Sequence, residues 1–554
     1  QSVRHGRSAF GSLDMEGWLL LGEAGKRLLP IPGHGIRDVY AEIDYQLGAY
    51  TIPTRNVQVL EDMYGTDAID RAFQAYYSEW KFRHPGPEDL RRVFESSLQT
   101  DLSWLFDQAI HQPFSRDISI RSVRMRGDSL NVSICQKGTT GLPFRIRQLD
   151  GETVLSSHWS PGFTGRDTTL LLAPEGSVDL LSVRDGLIPD LRQINDLYRP
   201  FSNWHRPKLL GLGFGGGVTR AQTIRHYLLP VVGYNVYDGF QAGLALHNQG
   251  IYYQPSGYFL SGLYGFRSGQ LGYTGALYRD IYLKEGPSLV RLGLKARSAS
   301  YFTLLDDLRL RYHRFNPYVE WQTRAEIRRG ETHWKAGLYG WLNGRETIRF
   351  GDTGPAGVDD ALDWDRIIAF RSTVTRRDVL LPWMIHLDVE YQPYRDALSI
   401  SQAYLKTGLE ARIAFPYMAK RYIRMRSYLG GFPYNTRREA GNVSNPSTRG
   451  SLALSFQGLN DYRFEETFIG RSEQTGTSSR QILLREGGFK TALGSAFGAG
   501  QSNNLIASVN LVGELPLPNW LPVQIYTDLG YWSDRTFLGR DKTFADQVWW
   551  DLGL

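Results

Sequence analysis

The feature that most constrains this fold is an alternation of apolar and polar residues that runs from Arg206 to Leu554. In Met384–Gln392 the odd-numbered residues are apolar or aromatic, and the even-numbered ones include His, Asp and Glu. Val290–Arg297 and Val523–Trp532 alternate in the same way. Successive side chains of a strand point to opposite faces of a sheet, so a period of two predicts β-strands. Many such strands in succession predict a closed antiparallel β-barrel that spans a membrane.

Loops and aromatic residues favour the same interpretation. We expect about fourteen to sixteen strands, since bacterial single-chain barrels favour even numbers. Short turns alternate with longer polar loops at Gly351–Asp363, Thr436–Gly450 and Thr467–Arg485. Aromatic pairs such as Tyr252-Tyr253 and Trp549-Trp550 stand near strand ends, where rings suit the lipid–water boundary. The sequence therefore predicts a protein of a Gram-negative-type outer membrane, with bilayer lipid as its surroundings and its other domains on one side.

A soluble all-β domain is the alternative, because alternation does not say which face of a strand is buried. A propeller requires a repeat of about forty residues, and the sequence contains none. The formal net charge of +6 is mild for 554 residues, and the Arg residues are scattered, so no nucleic-acid partner is predicted. The single cysteine, Cys135, excludes an internal disulfide. Because Leu554 falls inside a predicted strand, we expect further residues beyond it.

Three regions precede the barrel. Residues 1–49 read as an irregular remnant of a larger domain. Residues 50–113 are helical: Thr66–Trp80 carries an apolar stripe, Pro87 suits the first position of a second helix, and Asp101–Ile110 reads as a third. Residues 114–200 change to short strands separated by turn dipeptides such as Gly127-Asp128, which predicts a small β-sandwich. The barrel itself is assigned to residues 206–554.

The helical region resembles a known enzyme family. It reads YTIPTRNVQVLEDMYG from Tyr50, AFQAYYSEWKFRHPGP from Ala72, and EDLRRVFESSLQTDLSWLFDQ from Glu88. These motifs resemble the C-terminal part of the catalytic domain of M1-family zinc aminopeptidases, and the 114–200 region resembles the sandwich that follows it there. Leu228–Asn248 resembles proteins of Bacteroidetes-type bacteria in which an M1-like peptidase is fused to an outer-membrane barrel.

The resemblance implies zinc chemistry that this chain does not carry by itself. In the family, H-E-x-x-H and a more distant Glu hold zinc, and a metal-bound water attacks the peptide carbonyl. A downstream Tyr donates a hydrogen bond to the oxyanion, and Tyr50 matches its position. None of the 11 His residues lies in such a motif, so we expect no metal ligand and no bound cofactor in this chain. His84, in the W-x-F-x-H-P motif, is expected to be structural.

Three functional hypotheses remain open at this point. The first is a barrel-anchored M1-like metallopeptidase that hydrolyses peptides, with its zinc site outside this chain. The second is a non-catalytic scaffold or assembly subunit that docks with other proteins of an outer-membrane complex. The third is a pore, since a barrel of this size is wide enough for a lumen unless loops fill it.

Overall fold

The structure is a computed structural model, and each statement below concerns the part of the chain that it describes. This part comprises residues 45–111, 116–138, 141–151, 153–183, 190, 195–203, 205, 209–215, 223–249, 255–283, 288–304, 308–323, 332–351, 354–359, 361–378, 380–395, 400–418, 421–436, 450–473, 475–493, 500–518, 520–533 and 543–554. The predicted remnant at 1–49 lies outside it except for residues 45–49, and so does most of the predicted loop Thr436–Gly450.

The chain divides into two compact units, one mainly of residues up to Tyr227 and one mainly of residues from Leu228 onward. The first unit begins with helices α1 (Ile52–Tyr64), α2 (Thr66–Trp80) and α3 (Pro87–Leu98), flanked by π-helical turns at Leu47–Thr51 and Trp104–Ala109. Among the described helices, none is both long and apolar enough to cross a membrane.

The helices begin and end at the glycine and proline residues that the sequence places between them. Gly65, at φ 86°, separates α1 from α2, a conformation that glycine adopts without strain. Pro87 opens α3, and the Asp89 carboxylate accepts a hydrogen bond from the Gly86 N–H at 2.8 Å. Two expectations need correction. The third predicted helix is reduced to the π-helical turn, and the α2 stripe is only partly buried, since Tyr77 remains 66% exposed.

Two small sheets follow the helices. Their strands are β1 (Arg116–Arg126), β2 (Ser129–Gly138), β3 (Phe144–Asp150), β4 (Thr153–Ser160), β5 (Asp167–Leu172), β6 (Leu180–Ser182) and β7 (Leu197–Tyr198). One sheet has the order β1-β2-β5 and the other β4-β3-β6-β7. A common apolar core contains side chains of both sheets, including Ile118, Val132, Ile134, Phe144 and Leu181. The charged side chains Arg121 and Asp167 pair on the exposed surface at 3.2 Å.

The remaining strands build one large antiparallel sheet of fifteen strands and two short hairpins. The strands of the large sheet are β8 (Leu209–Phe214), β9 (Thr223–Asn235), β10 (Gly239–His247), β11 (Ser256–Gly265), β12 (Gln270–Tyr282), β13 (Ser288–Leu304), β14 (Leu308–Thr323), β15 (Thr332–Arg345), β18 (Asp363–Arg376), β19 (Trp383–Arg395), β20 (Ser401–Met418), β21 (Arg421–Asn435), β24 (Leu505–Glu514), β25 (Gln524–Ser533) and β26 (Val548–Gly553). The hairpins pair β16 (Ile348–Gly351) with β17 (Gly354–Val358), and β22 (Leu452–Ala453) with β23 (Gln501–Ser502).

Each strand of the large sheet lies beside its neighbour in sequence, so alternate connections lie at the same end of the sheet. We call the end that carries the β21–β24 connection the segment end. All three predicted loops belong to this end, although the first of them, Gly351–Asp363, contains the strand β17. The predicted closure is not present in the described part of the chain, where β8 and β26 form the two edges of the sheet.

The two faces of the large sheet have opposite character. On β19, Glu390 and Gln392 are fully buried, whereas Ile385 and Tyr391 on the other face are 44% and 43% exposed. On β25, Asp528 is fully buried while Leu529 is 53% exposed. The alternation was therefore predicted correctly, and the polar face is the covered one. We call the polar face the inner face and the apolar face the outer face.

Candidate functional site on the inner face

The inner face is covered by the connection between β21 and β24. Its described residues 450–473 and 475–493, which we call the inner segment, contain 3-10 turns at Gly458–Asn460 and Thr477–Arg480 but little other regular structure. The segment contacts strands far apart in the sheet. Ile469 accepts a hydrogen bond from the Val236 N–H at 2.8 Å, beside β9, and the Lys490 ammonium donates to Asp528 of β25 at 2.7 Å. The sheet therefore curves around this segment.

Arg463 is the centre of the contacts between segment and sheet. Its guanidinium pairs with Asp388 at 2.9 Å and with Glu390, both on β19, and lies 5.0 Å from the centroid of the Trp341 ring. The alternation of β19 places the two carboxylates on the same face, two residues apart. Removal of the arginine would leave the fully buried Glu390 without its ion-pair partner, which is the costly way to break a buried ion pair, whereas the partly exposed Asp388 would keep Arg371.

Hydrogen bonds connect this ion pair to neighbouring tyrosine and lysine side chains. The Tyr462 and Tyr404 hydroxyls both donate to Glu390 Oε1 at 2.6 Å, and the Lys406 ammonium donates to the Tyr462 hydroxyl at 2.6 Å. Asn343 of β15 donates to the Tyr462 carbonyl at 3.2 Å. Polar groups buried in this way are stable only when they are satisfied by partners, and this cluster supplies a partner for each Glu390 oxygen.

Glu465 links the segment to a second strand. Arg371 of β18 holds its carboxylate through both oxygens, at 2.9 and 3.0 Å, and Arg485 donates at 3.0 Å. Burial by itself would raise the pKa of Glu465, but Arg371 and Arg463 outweigh burial and hold that pKa well below its ordinary value. Arg371 also reaches Asp388 at 3.1 Å, so the two acids share their arginines.

A second arginine is enclosed by aromatic rings. Arg471 pairs with Asp461 at 2.8 Å and lies 4.9 Å and 5.1 Å from the ring centroids of Phe464 and Phe468. Phe464 in turn stacks on Tyr312 of β14, with centroids 4.2 Å apart. The guanidinium thus exchanges its hydration for a carboxylate and ring faces, which is an arrangement suited to arginine.

The two ends of the inner segment are held by apolar packing. Leu452, Leu454 and Phe489 form a buried cluster with strand residues that include Ile506 and Trp532. A carboxylate, Glu486, lies beside this cluster; it accepts from the Ala453 N–H at 2.6 Å and lies 3.5 Å from the Lys406 ammonium. Burial raises the pKa of Glu486, and Lys406 offsets this only in part.

These contacts suit a fixed plug better than a reaction centre. The acids and bases are paired with one another, and none of the groups described above points an unpaired nucleophile or base at an open space. Within the described ranges, no three His, Cys, Asp or Glu side chains are grouped so that they could hold a metal ion. What the arrangement can do is fill the space enclosed by the sheet and fix the segment to strands on several sides.

The residue singled out from sequence, Tyr50, lies elsewhere. It stands in the π-helical turn that leads into α1, is 59% exposed, and its hydroxyl is 3.3 Å from that of Tyr45. This hydrogen bond is the main cause of a raised pKa at Tyr45. His84 is exposed in the break between α2 and α3.

Sequence reasoning missed the inner segment as a site. It identified Thr467–Arg485 as a polar loop, but it did not place that loop against the inner face. A signal was available: the inner-facing charges Asp388, Glu390 and Lys406 need partners, and the alternation fails over the Arg- and aromatic-rich stretch Tyr462–Phe464.

Comparison with known proteins adds little to this geometry. No known family profile matches the chain, and no curated protein matches it. Among solved structures it is similar to BamA from Haemophilus ducreyi lacking POTRA domains 1–3, at 10% identity and a TM-score of 0.31; the likeness covers 56% of this chain and 60% of that one. It is also similar to CdiB from Acinetobacter baumannii, at 9% identity and a TM-score of 0.29, over 88% and 79%.

Proposed function

We propose that residues 209–554 span an outer membrane as a β-barrel whose interior is filled by the inner segment. The observation that carries this proposal is the inverted polarity of the sheet. Val319, Leu338 and Phe370 lie side by side in register on the outer face and are 46%, 56% and 39% exposed, while Glu390 is fully buried inside. Leaving a contiguous apolar surface in water is unfavourable, whereas lipid is its natural surroundings.

Aromatic side chains support the same proposal. On the outer face, Tyr264, Phe266 and Trp364 are exposed at the segment end, and Trp334 and Phe415 are exposed towards the opposite end. Apolar residues such as Leu338 and Phe370 occupy the strands between them. Membrane barrels carry an apolar band between two aromatic girdles, because the rings favour the two lipid–water interfaces.

Membrane insertion is tested by reconstitution. We expect the purified chain to require detergent in solution and to float with liposomes in a density gradient. Quenching by brominated lipids should reach Trp334, which is 50% exposed on the outer face, but not the fully buried Trp341. A Trp334→Phe variant should therefore lose quenchable fluorescence, whereas Trp341→Phe should not. The proposal would be contradicted if the chain were monodisperse in plain buffer and did not float with liposomes.

A barrel filled in this way is an anchor and not an open pore. We expect the wild-type chain to leave a planar bilayer sealed. A variant in which residues 454–488 are replaced by a short Gly/Ser linker should conduct ions if the segment is what closes the lumen. Its insertion is checked by flotation. Steady conductance from the wild-type chain would favour the pore hypothesis instead.

We further propose that the anchored module is an M1-like peptidase region. The support is the resemblance of residues 50–108, in which Tyr50 precedes α1, Gly65 follows it, and the W-x-F-x-H-P motif spans the end of α2. In that case the zinc ligands are supplied from outside this chain, the bound peptide is the substrate, and the Tyr50 hydroxyl donates to the oxyanion.

Zinc analysis and an aminopeptidase assay on the full-length protein test this finer proposal. Bound zinc and turnover that falls sharply in Tyr50→Phe would support it, since the phenylalanine keeps the ring and removes the donor. Tyr77→Phe, at another exposed tyrosine of the same helical region, is the matched control. No zinc and no turnover would leave the alternative of a non-catalytic scaffold that docks with other subunits of an outer-membrane complex.

A further inference from the structure

The outer face of the large sheet is not apolar throughout. On β14, Arg314 faces inward, where it donates to the Phe464 carbonyl of the inner segment. Side chains alternate along a strand, so Arg309, Arg311 and His313 face outward. They follow the β13–β14 connection and therefore lie at the segment end. Below them on the same face come Phe315 and the other apolar residues of the band.

Neighbouring polar groups fix the orientation of this cluster. The Arg311 guanidinium donates to the Leu271 carbonyl at 2.6 Å and to the Ser298 hydroxyl at 3.2 Å. The His313 Nδ1 atom lies 3.2 Å from the Tyr273 hydroxyl. These contacts hold Arg311 and His313 of β14 against residues of the adjacent strands β12 and β13 instead of leaving them free in solvent.

A second strand pair adds an aromatic ring. Gly344 of β15 lies in register between His313 and Trp364. A Cβ atom at Gly344 would come within 3.0 Å of the Trp364 ring, so the glycine leaves room for the indole to lie against the outer face of β15. Arg366 lies two residues further along β18 on the same outer face and is exposed, but it is level with Phe315 and so lies outside the cluster on β14.

The outer arginines differ from the inner ones in their partners. On the inner face, Arg463 and Arg471 are paired with carboxylates. In the described part of the chain, by contrast, no carboxylate lies within ion-pair distance of the guanidinium groups of Arg309, Arg311 and Arg366, and the buried Nε atoms of Arg309 and Arg311 have no hydrogen-bond partner. The Glu346 carboxylate accepts from the backbone N–H of Arg311 and not from its side chain.

We propose that the cluster formed by Arg309, Arg311 and His313, with Trp364 beside it, binds the phosphate of a membrane lipid headgroup. The inference rests on the proposed membrane-spanning function. The cluster lies where the apolar band ends, at the level where headgroup phosphates meet an aromatic girdle. Arginine forks match phosphate oxygens, and a partly desolvated guanidinium with unused donors gains most from an anion. Trp364 would pack against the adjoining glycerol and acyl chain.

Native mass spectrometry of the detergent-solubilised full chain tests the proposal. Phosphatidylglycerol, phosphatidylcholine and inorganic phosphate serve as separate probes. We expect phosphatidylglycerol to be retained and to be bound about tenfold more weakly by an Arg309→Gln/Arg311→Gln double variant, because charge-assisted hydrogen bonds are lost. Arg279→Gln is the matched control, since Arg279 is an exposed arginine on β12 near the opposite end of the sheet. It should bind like the wild type.

The outcomes separate this inference from the one on which it rests. Equal retention of phosphatidylglycerol by the wild type and the double variant would overturn the site, as would equal retention of both lipids by the wild type. Strong competition by inorganic phosphate without lipid retention would assign the cluster to a free anion and overturn the lipid proposal. Failure of the wild type to float with liposomes would refute the membrane function itself. Unchanged heat-modifiable migration shows that the variants are folded.

Discussion

The small sandwich and the large sheet use the same alternation with opposite sidedness. In the sandwich, Ile134 and Leu181 are fully buried between two sheets, and Arg121 pairs with Asp167 at the surface. In the large sheet the buried residue is Glu390, and the exposed one is Leu338. A sheet packed against another sheet excludes water from its apolar side, whereas a sheet curved around a polar segment turns its apolar side outward.

The difference teaches that periodicity fixes which residues share a face but not which face is covered. Which face is covered depends on what packs against the sheet. In the sandwich a second apolar sheet covers the apolar face, and in the large sheet the inner segment with Arg463, Glu465 and Arg471 covers the polar face. A charged side chain on the exposed face should therefore be tolerated in the sandwich and destabilising in the large sheet. The variants below test this contrast in decreasing order of expected effect.

Arg463→Ala should have the largest effect. It leaves Glu390 buried without its ion-pair partner, and breaking a buried ion pair in this way costs about 3–5 kcal/mol. We expect a loss of that size in the free energy of unfolding, measured by urea titration of the full chain in detergent micelles. Arg480→Ala, at an exposed arginine of the same segment, should change stability by less than about 0.5 kcal/mol. Equal effects of the two variants would mean that the inner ion pairs do not hold the fold together.

Introducing a charge on the outside should separate the two regions most clearly. Leu338 on the large sheet and Leu171 on β5 of the sandwich are similarly exposed, at 56% and 60%. If the first faces lipid, Leu338→Arg should cost about 2–4 kcal/mol of stability in liposomes. Leu171→Arg faces water and should cost less than about 0.5 kcal/mol. Urea unfolding followed by tryptophan fluorescence measures both, and a harmless Leu338→Arg would place that surface in water.

Much of this fold was readable in the sequence because its cause is local. The β19 and β25 alternations, the α2 boundaries and the Pro87 start of α3 depend on residues a few positions apart, and the structure has them as predicted. The interpretation of the outer face as apolar also agrees with the exposures observed.

The contacts of the inner segment could not be predicted from the sequence because its partners are distant. Arg463 pairs with Asp388 and Glu390, which lie more than 70 residues earlier in the chain. The local pattern at Tyr462–Phe464 does not indicate that strand β19 is the partner. Likewise, the exposure of Tyr77 depends on what packs against α2, which helical spacing does not specify. The role of Tyr50 remains a prediction for the same reason, since it depends on groups outside the helical region.

Packing density should also differ between the faces. A Cβ atom at Gly530, on the inner face of β25, would lie 2.6 Å from atoms of both Leu454 and Phe489 in the inner segment. Gly530→Ala should therefore strain the segment by about 1–3 kcal/mol. At Gly513, on the outer face of β24, the nearest atom would be Ile525 Cγ2 at 3.6 Å, which is ordinary contact. Gly513→Ala should be nearly neutral in urea titration, and an equal loss would indicate that the inner face is not tightly filled.

Lowering the pH should have the smallest effect on stability, and the effect should change gradually with pH. The pKa of Glu465 is held below its ordinary 4.5, so its stabilising contribution is present above that pH and is lost as the pH falls towards the lowered value. Burial raises the pKa of Glu486, so its contribution has the opposite sign and disappears as the pH rises through the raised value. We expect Glu465→Gln to flatten the decline in the urea midpoint between about pH 6 and about pH 3. Glu486→Gln should instead raise the midpoint at neutral pH, and identical pH profiles for the two variants would contradict the assignment of opposite shifts.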